Sequence, residues 1–340
     1  MVPRALLTLL RQVLWKDRPI YAHYGLTHRC NLRCAMCTIR EQTPGEELGL
    51  DRILILFKHL RDLGGRFLSV GGGEPLVRED LPEVLEGLAG LGYRVRLLSN
   101  GSLLDEARLA GLLRTGVRDF SISLDTLEPE LYDRICGTRG MLPTVLANVS
   151  RLARAVRFEG GLVVLNCVLS RLNLREVGTL HDYAHSLGAR ISFLALEGRL
   201  ADAWHFGPEN RSELESTFHR LLSLKRRRGN ALFNSSAYLR LLRLRLLGLH
   251  APWPCHAGRF YVSVDPSGGI APCHGLPLSA GWLSSGTHEF TPWRPVTSRP
   301  LCPGCLRPCW TEVSLAFSDP RSLLEAALLW RQHRTARGRA

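Results

Sequence analysis

The chain has 340 residues, ten cysteines and a formal net charge of +13, from 44 Lys and Arg against 31 Asp and Glu. That length buries a large core without covalent staples, and cysteines gathered toward both ends do not make a small secreted disulfide scaffold, so the expectation is metal binding in a reducing cytosol. The apolar run at 1–15 is too short to span a bilayer and lacks a small-residue cleavage site, which predicts a cytoplasmic protein opening on an amphipathic helix over 1–19.

From Ile20 onward short β-rich runs alternate with helical patterns, which implies a parallel sheet with crossover helices. A strand over 20–27 is followed by a helix that opens on Asp51 as N-cap, places Ile53, Leu56, Phe57 and Leu60 at helical spacing and stops at Gly64 and Gly65. A strand over 66–70, a helix from near Asp80, a strand over 93–100, a helix over 103–115 and a strand over 118–125 come next. The series closes with a helix over 142–157, a strand over 161–170, a helix over 174–187 and a strand over 190–198. These six βα units form a core assigned to 20–230. A helical region over 209–248 then leads to a hairpin over 254–275, turning at Pro-Ser-Gly-Gly. A Pro-rich stretch, the segment "LCPGCLRPCW" over 301–310 and a final helix from Pro320 complete the chain. The domains expected here are an appended one over 231–320 and a C-terminal helix with basic tail over 321–340.

Each unusual motif falls where a strand ends: the cysteines after the first, "GGGEP" after the second, "SNG" at the third and "SLD" at the fourth. Ligands in parallel α/β folds bind at the carboxyl ends of the strands, so four motifs on that rim predict one site. Three thiolates at Cys30, Cys34 and Cys37 can face one metal centre, and their softness selects zinc, cuprous copper or iron-sulfur. Zinc would close its tetrahedron with a fourth ligand, for which His28 is available. An iron-sulfur cube on three thiolates instead leaves one iron open.

Cys30-x3-Cys34-x2-Cys37 after a first strand, followed by Gly72-Gly73-Glu74-Pro75 after the second, resembles the radical S-adenosylmethionine (SAM) superfamily over roughly residues 20–200. The resemblance implies an α/β fold built as a partial (β/α)6 barrel, with a 4Fe-4S cluster on the three cysteines. It further implies that the amino and carboxylate groups of SAM chelate the open iron, and that an electron donor such as flavodoxin or ferredoxin drives cleavage to methionine and a 5'-deoxyadenosyl radical. By motif position Glu74 and the Gly72-Gly73 backbone receive the SAM amino group, and Met36 lies near the adenine. Ser99, Asn100 and Ser123 are candidates for the ribose and carboxylate, and Leu196, with Leu194, for adenine packing. Ser99, Asn100 and Ser123 read equally well as ordinary turn chemistry at strand ends.

At the other end, Cys255 and Cys273 flank the hairpin, and Cys302 and Cys305 form a C-x2-C knuckle; four thiolates make a closed site for zinc or iron-sulfur. Cys255-x12-Gly268-x4-Cys273 followed by that knuckle resembles the SPASM auxiliary-cluster module and its shorter twitch form, which implies a second 4Fe-4S cluster. Five cysteines after residue 250 suffice for one such cluster, so the twitch form matches better. Cys309 is left over as an exchanging ligand, a hydrogen-atom donor or a buried thiol. Cys136 and Cys167 read as structural, and His256 and His274 as hydrogen-bonding neighbours of ligands.

The resulting expectation is hydrogen-atom abstraction leading to oxidation or radical bond formation. Because the first strand opens by residue 20, the substrate expected is a small molecule or short peptide. Action on RNA, or in cofactor biosynthesis, is one alternative. Another is a zinc-stabilised basic protein that binds nucleic acid, since basic stretches at 225–230, at 239–248 and after Trp330 suit an acidic partner, a peripheral membrane contact or simply a solvated face. No catalytic base stands out; Glu197, Arg199 and Asp202 follow the sixth strand with nothing to rank them.

Overall fold

The computed structural model describes residues 18–39, 45–196, 204–275 and 305–335. The helix expected over 1–19 falls almost wholly outside the described residues, as do Cys302, Glu197, Arg199, Asp202 and the end of the basic tail. Strands β1 (Tyr21–Thr27), β2 (Phe67–Gly72), β3 (Arg94–Ser99), β4 (Asp119–Ser123), β5 (Leu162–Leu169) and β6 (Arg190–Ala195) are the six expected ones. With β7 (Tyr261–Val264) and β8 (Ile270–Ala271) they form one open sheet in the order β6-β5-β4-β3-β2-β1-β7-β8. All neighbours run parallel except β7 and β8.

The alternation of side chains along each strand sorts the two faces. Ala22, Tyr24, Leu26, Leu68, Val70, Val95, Leu97, Phe120, Ile122, Val163, Leu165, Ile191 and Phe193 join one buried apolar cluster. Helices α1 (Leu50–Leu63), α2 (Leu81–Gly90), α3 (Glu106–Arg114), α4 (Pro129–Cys136), α5 (Leu142–Phe158) and α6 (Val177–Ser186) supply its other half, through residues such as Phe57, Leu85, Leu112, Val149 and Leu180. The opposite face carries Tyr21, His23, Ser69, Arg96, Asp119, Ser121, Asn166 and Ser192.

The sheet curls around this polar face. Residues 231–233 lie beside β6, where the Ile191 amide donates to the Ala231 carbonyl and the Phe233 amide to that of Ile191, both at 2.8 Å. Even so, the Phe233 ring centroid is 5.2 Å from the Arg96 guanidinium carbon on β3. Along a flat sheet β6 and β3 would stand about 14 Å apart, so the polar face is the concave one.

Several elements differ from the sequence reading. Helix α1 starts at Leu50 behind an extended Gly49, and Asp51 sits inside the first turn, where its charge still favours the helix N-terminus. Strand β2 runs on through Gly71 and Gly72, which pair with Gly25 and Thr27. Helix α4 is too short for its periodicity to declare it, yet it buries Tyr132, Ile135 and Cys136. The region 209–248 is two helices, α7 (Arg211–Arg226) and α8 (Ser236–Leu246), because 231–233 follow β6 instead. The hairpin is part of the main sheet: β7 pairs with β1 from Tyr21 against Tyr261 to Tyr24 against Val264. Helix α9 (Pro308–Ser318) precedes the expected final helix α10 (Pro320–Thr335) and sets Trp310 against Tyr261, with centroids 4.6 Å apart and rings stacked.

Two carboxylates hold these C-terminal helices to the N-terminus of α8: Glu312 accepts from the Ser235 amide at 2.8 Å and Glu325 from the Ser236 amide at 2.9 Å. That placement suits the positive end of the helix. Burial nevertheless pushes the Glu312 carboxyl up to about 7, against the pull of the Ser235 hydrogen bonds and Lys225. Between its ordinary value of 4.5 and about 7 the folded chain holds a proton that the unfolded chain releases, so this stabilisation is lost as pH rises through that window. Glu312→Gln is expected to flatten the fall in melting temperature between pH 5 and pH 8, measured by calorimetry.

Candidate cluster and cofactor site

The three-cysteine loop leaves the carboxyl end of β1 with no regular structure of its own, so its contacts place it. The Arg33 and Ala35 amides donate to the Cys136 and Ile135 carbonyls at 3.1 and 2.8 Å, fastening the loop to the end of α4. On its other side the Gly73 and Glu74 amides donate to the Thr27 and Arg29 carbonyls at 2.7 and 2.9 Å. A Cβ at Gly73 would lie 2.1 Å from the Arg29 carbonyl oxygen, and one at Gly72, where φ is +119°, 2.4 Å from that of Thr27. Only glycine permits this approach. Beneath it, Glu47 accepts from the Thr27 hydroxyl and from Arg29, while Arg78 donates to Asp80 and to the Leu48 carbonyl.

Glu74 is wholly buried. Its Oε1 accepts from the Leu76 amide at 3.1 Å and the Ser99 hydroxyl at 2.9 Å, and its Oε2 from the Asn100 amide at 2.7 Å. Burial raises this carboxyl above its ordinary value, and the three hydrogen bonds oppose the shift. Asn100 continues the connection: its amide donates to Asn31 at 2.9 Å, and Asn31 donates to Ser102 at 2.8 Å. Asn31 and Ser102 thus tie the cysteine loop to the end of β3. The sequence reading singled out neither, although Asn31 stands directly after a cysteine and Ser102 directly after "SNG".

Cys30 and Cys34 are partly buried and Cys37 is exposed. Burial raises the Cys30 thiol, and Glu74, Cys34 and Cys37 add to the rise. The Cys34 thiol is raised first by a hydrogen bond to Cys136 and then by burial. Among the described residues no three His, Cys, Asp or Glu side chains stand as a closed metal cage, Cys34 being turned toward Cys136. The donor set still fits an iron-sulfur cluster, with three soft ligands on one partly exposed loop at the strand rim. Met36 packs partly buried against the core beside them.

Further along the rim, Ser123 is exposed and stands in register with Asn166 on β5, which in turn pairs with Ser192 on β6. Leu196 is partly buried just past the end of β6. Asp125 is buried, accepts from the Val168 amide at 2.7 Å and is pushed by burial up to about 7. Asn166 and Asp125 also went unremarked as individual residues, because mid-strand and buried polar groups leave no spacing signal.

At the other end, Cys255, Cys273 and Cys305 border one small apolar cluster around Ile20, Phe260, Tyr261 and Trp310. The Cys255 thiol lies 3.2 Å from the Tyr261 hydroxyl, and the Trp253 indole donates to the Cys305 carbonyl at 2.8 Å. His256 contacts Ser318 at 2.9 Å, and His274 contacts Ser263 at 2.7 Å. Cys309 is exposed, which removes its reading as a buried thiol. Cys136 and Cys167 are buried, Cys167 completely.

Residues 24–184 match the family model described as the Radical SAM superfamily, so the chain carries a radical SAM domain. Among curated proteins it is 26% identical over 282 residues to the PqqA peptide cyclase of Granulibacter bethesdensis, a match covering 78% of this chain and 70% of that protein. It is 28% identical over 285 residues to the AdoMet-dependent heme synthase of Methanosarcina barkeri, covering 78% of this chain and 79% of the relative. Among solved structures, Streptococcus suis SuiB bound to S-adenosylmethionine superposes with a TM-score of 0.61 at 16% identity, over 80% of this chain and 64% of SuiB. A structure titled native anSMEcpe with bound AdoMet gives 0.56 at 18% identity, over 75% and 74%. These two share the fold.

Gly73→Ala is expected to push the cysteine loop off the β2 end. Anaerobic reconstitution should then give less bound iron than the unsubstituted chain, with all three cysteines intact. Glu74→Gln turns its NH2 toward either the Asn100 amide or the Leu76 amide and Ser99 hydroxyl, and is expected to cost about 1–3 kcal/mol, read by urea unfolding.

Proposed function

We propose that the chain is a radical SAM enzyme acting on a peptide or small molecule. The observation that carries this reading is the attachment of the three-cysteine loop at the end of β1 to the buried glycine-glutamate loop at the end of β2, in a chain that carries a radical SAM domain. Cys30, Cys34 and Cys37 would hold a 4Fe-4S cluster. With that cluster and SAM bound, the pair supplies reductive cleavage of SAM to a 5'-deoxyadenosyl radical that takes a hydrogen atom from the substrate.

The chain's own residues position and exclude. Gly72 and Gly73 would offer backbone groups to the SAM amino group, and their lack of side chains keeps the cysteine loop seated against them. Glu74 would act through its buried charge and through the loop it fixes, both carboxylate oxygens being engaged. Ser99 and Asn100 would hold that carboxylate in place, leaving the exposed Ser123 as the better candidate for direct contact with ribose or carboxylate. Met36 and Leu196 would supply apolar surface for the adenine. Cys255, Cys273, Cys302 and Cys305 would hold a second 4Fe-4S cluster, suited to accept an electron from a substrate radical. Flavodoxin or ferredoxin would deliver the reducing electron.

The match to a protein named PqqA peptide cyclase supports a peptide substrate and radical bond formation. A second reading, oxidation of a cofactor precursor, is supported by the match to a protein named AdoMet-dependent heme synthase.

Iron and sulfide analysis after anaerobic purification tests the proposal. About eight irons per chain are expected for two cubes and about four for one, whereas zinc without iron would overturn it. Incubation with SAM and a strong reductant is expected to release 5'-deoxyadenosine. Replacing Cys30, Cys34 and Cys37 with Ala should abolish that release, and replacing Cys255 and Cys273 should leave a measurable part.

A further inference from the structure

The concave face of the sheet holds a positive charge that no described residue balances. Ser263, His23, Ser69, Arg96 and Asp119 are register neighbours across β7, β1, β2, β3 and β4. Arg96 therefore sits within a polar row on that face, between Ser69 and Asp119. Asp119, the one acidic member of the row, is taken by Arg94, whose Nε and Nη2 donate to its two carboxylate oxygens at 2.5 and 3.0 Å. Arg96 makes no hydrogen bond and no ion pair with any described residue. Its contact is the Phe233 ring, 5.2 Å from the guanidinium carbon.

Among the described residues the surroundings do not supply the missing charge. Tyr21 donates to Ser69 at 2.8 Å and stays neutral, its hydroxyl raised by burial. Arg96 itself is pushed below the ordinary arginine value by burial, with Asp119 pulling the other way. A guanidinium carries five donors that need partners, and a desolvated one without them is costly. Arg96 is only partly buried, so part of it faces the concave space rather than protein. It lies three residues before Ser99, which places its Cα about 10 Å below the rim that carries the cysteine and glycine loops. A molecule bound between the rim and Arg96 would thus present its upper end to the reacting centre.

We propose that Arg96 anchors a carboxylate of the substrate within the concave face. One guanidinium fork matches one carboxylate in charge and in two-point geometry, and Arg94, two residues earlier on β3, is already spent on Asp119. Phe233 steadies the fork from its other side by a cation–π contact. The proposal rests on reading this face as the substrate side of a radical SAM enzyme, but its test needs no turnover.

The probes are N-acetylglutamate N'-methylamide, which carries a side-chain carboxylate, N-acetylalanine, which carries a terminal one, and the neutral N-acetylglutamine N'-methylamide. Their binding to the full anaerobically purified chain is followed by saturation-transfer NMR titration, beside Arg96→Met and Arg96→Lys. At least one carboxylate is expected to bind saturably, to outcompete the neutral probe, and to weaken by about tenfold or more in Arg96→Met, with Arg96→Lys between. The carboxylate that binds tells an acidic side chain from a chain terminus. Melting curves matching the unsubstituted chain show that the Met variant is folded, and Arg96→Lys answers the question if it is not. Equal binding of the neutral probe, binding unchanged in both variants, or no saturable binding of either carboxylate overturns the proposal. Failure of the chain to release 5'-deoxyadenosine would sink the reaction class and leave the binding result standing.

Discussion

The site depends on a backbone contact: Gly73 and the Arg29 carbonyl approach so closely that a single added carbon would stand 2.1 Å from the oxygen. The cysteine loop has neither helix nor strand to hold it, and its neighbours in space include the ends of β2, α4 and β3. Hydrogen bonds from Arg33 and Ala35 fix one side, and the glycine contact fixes the other. The two glycines thus serve packing. Their lack of side chains lets the β2 end lie flat against the loop.

A second constraint follows from the first. Once Glu74 is carried under the loop, its carboxylate is sealed from solvent, and a buried charge must be supplied with donors. Ser99 and the Asn100 amide supply them from β3, so the end of β3 is tied to β2. Asn100, Asn31 and Ser102 then close the circuit back to the cysteine loop. The motifs at the ends of the first three strands are therefore one hydrogen-bonded unit.

How far the sequence foretold this varies with the physical signal. Strand and helix alternation was legible because the apolar residues of β1 to β6 repeat at a period of two and those of α1 to α6 at a helical period. The cysteine spacing and the glycine-glutamate motif were legible because each is local in the chain. The parallel pairing of β7 with β1 was not, since nothing between Tyr21 and Tyr261 signals a contact of such separation. Asn31, Ser102 and Arg96 escaped for a related reason: their partners, or their lack of them, are set by register between strands. A hairpin motif was recognised at 254–275, but which edge it would join is a matter of tertiary packing.

That pairing bears on how the chain is made. β1 is synthesised before the other described strands and carries the cysteine loop, yet one of its two edges is covered only when β7 arrives, more than two hundred residues later. At ordinary ribosomal rates the interval is on the order of ten seconds or more. Throughout it, β1 presents unpaired amide and carbonyl groups of the kind that recruit foreign strands. The nascent chain is then most exposed to aggregation beside the three-cysteine loop, so overproduction at lower temperature or with chaperones should matter more for this protein than its size alone would suggest.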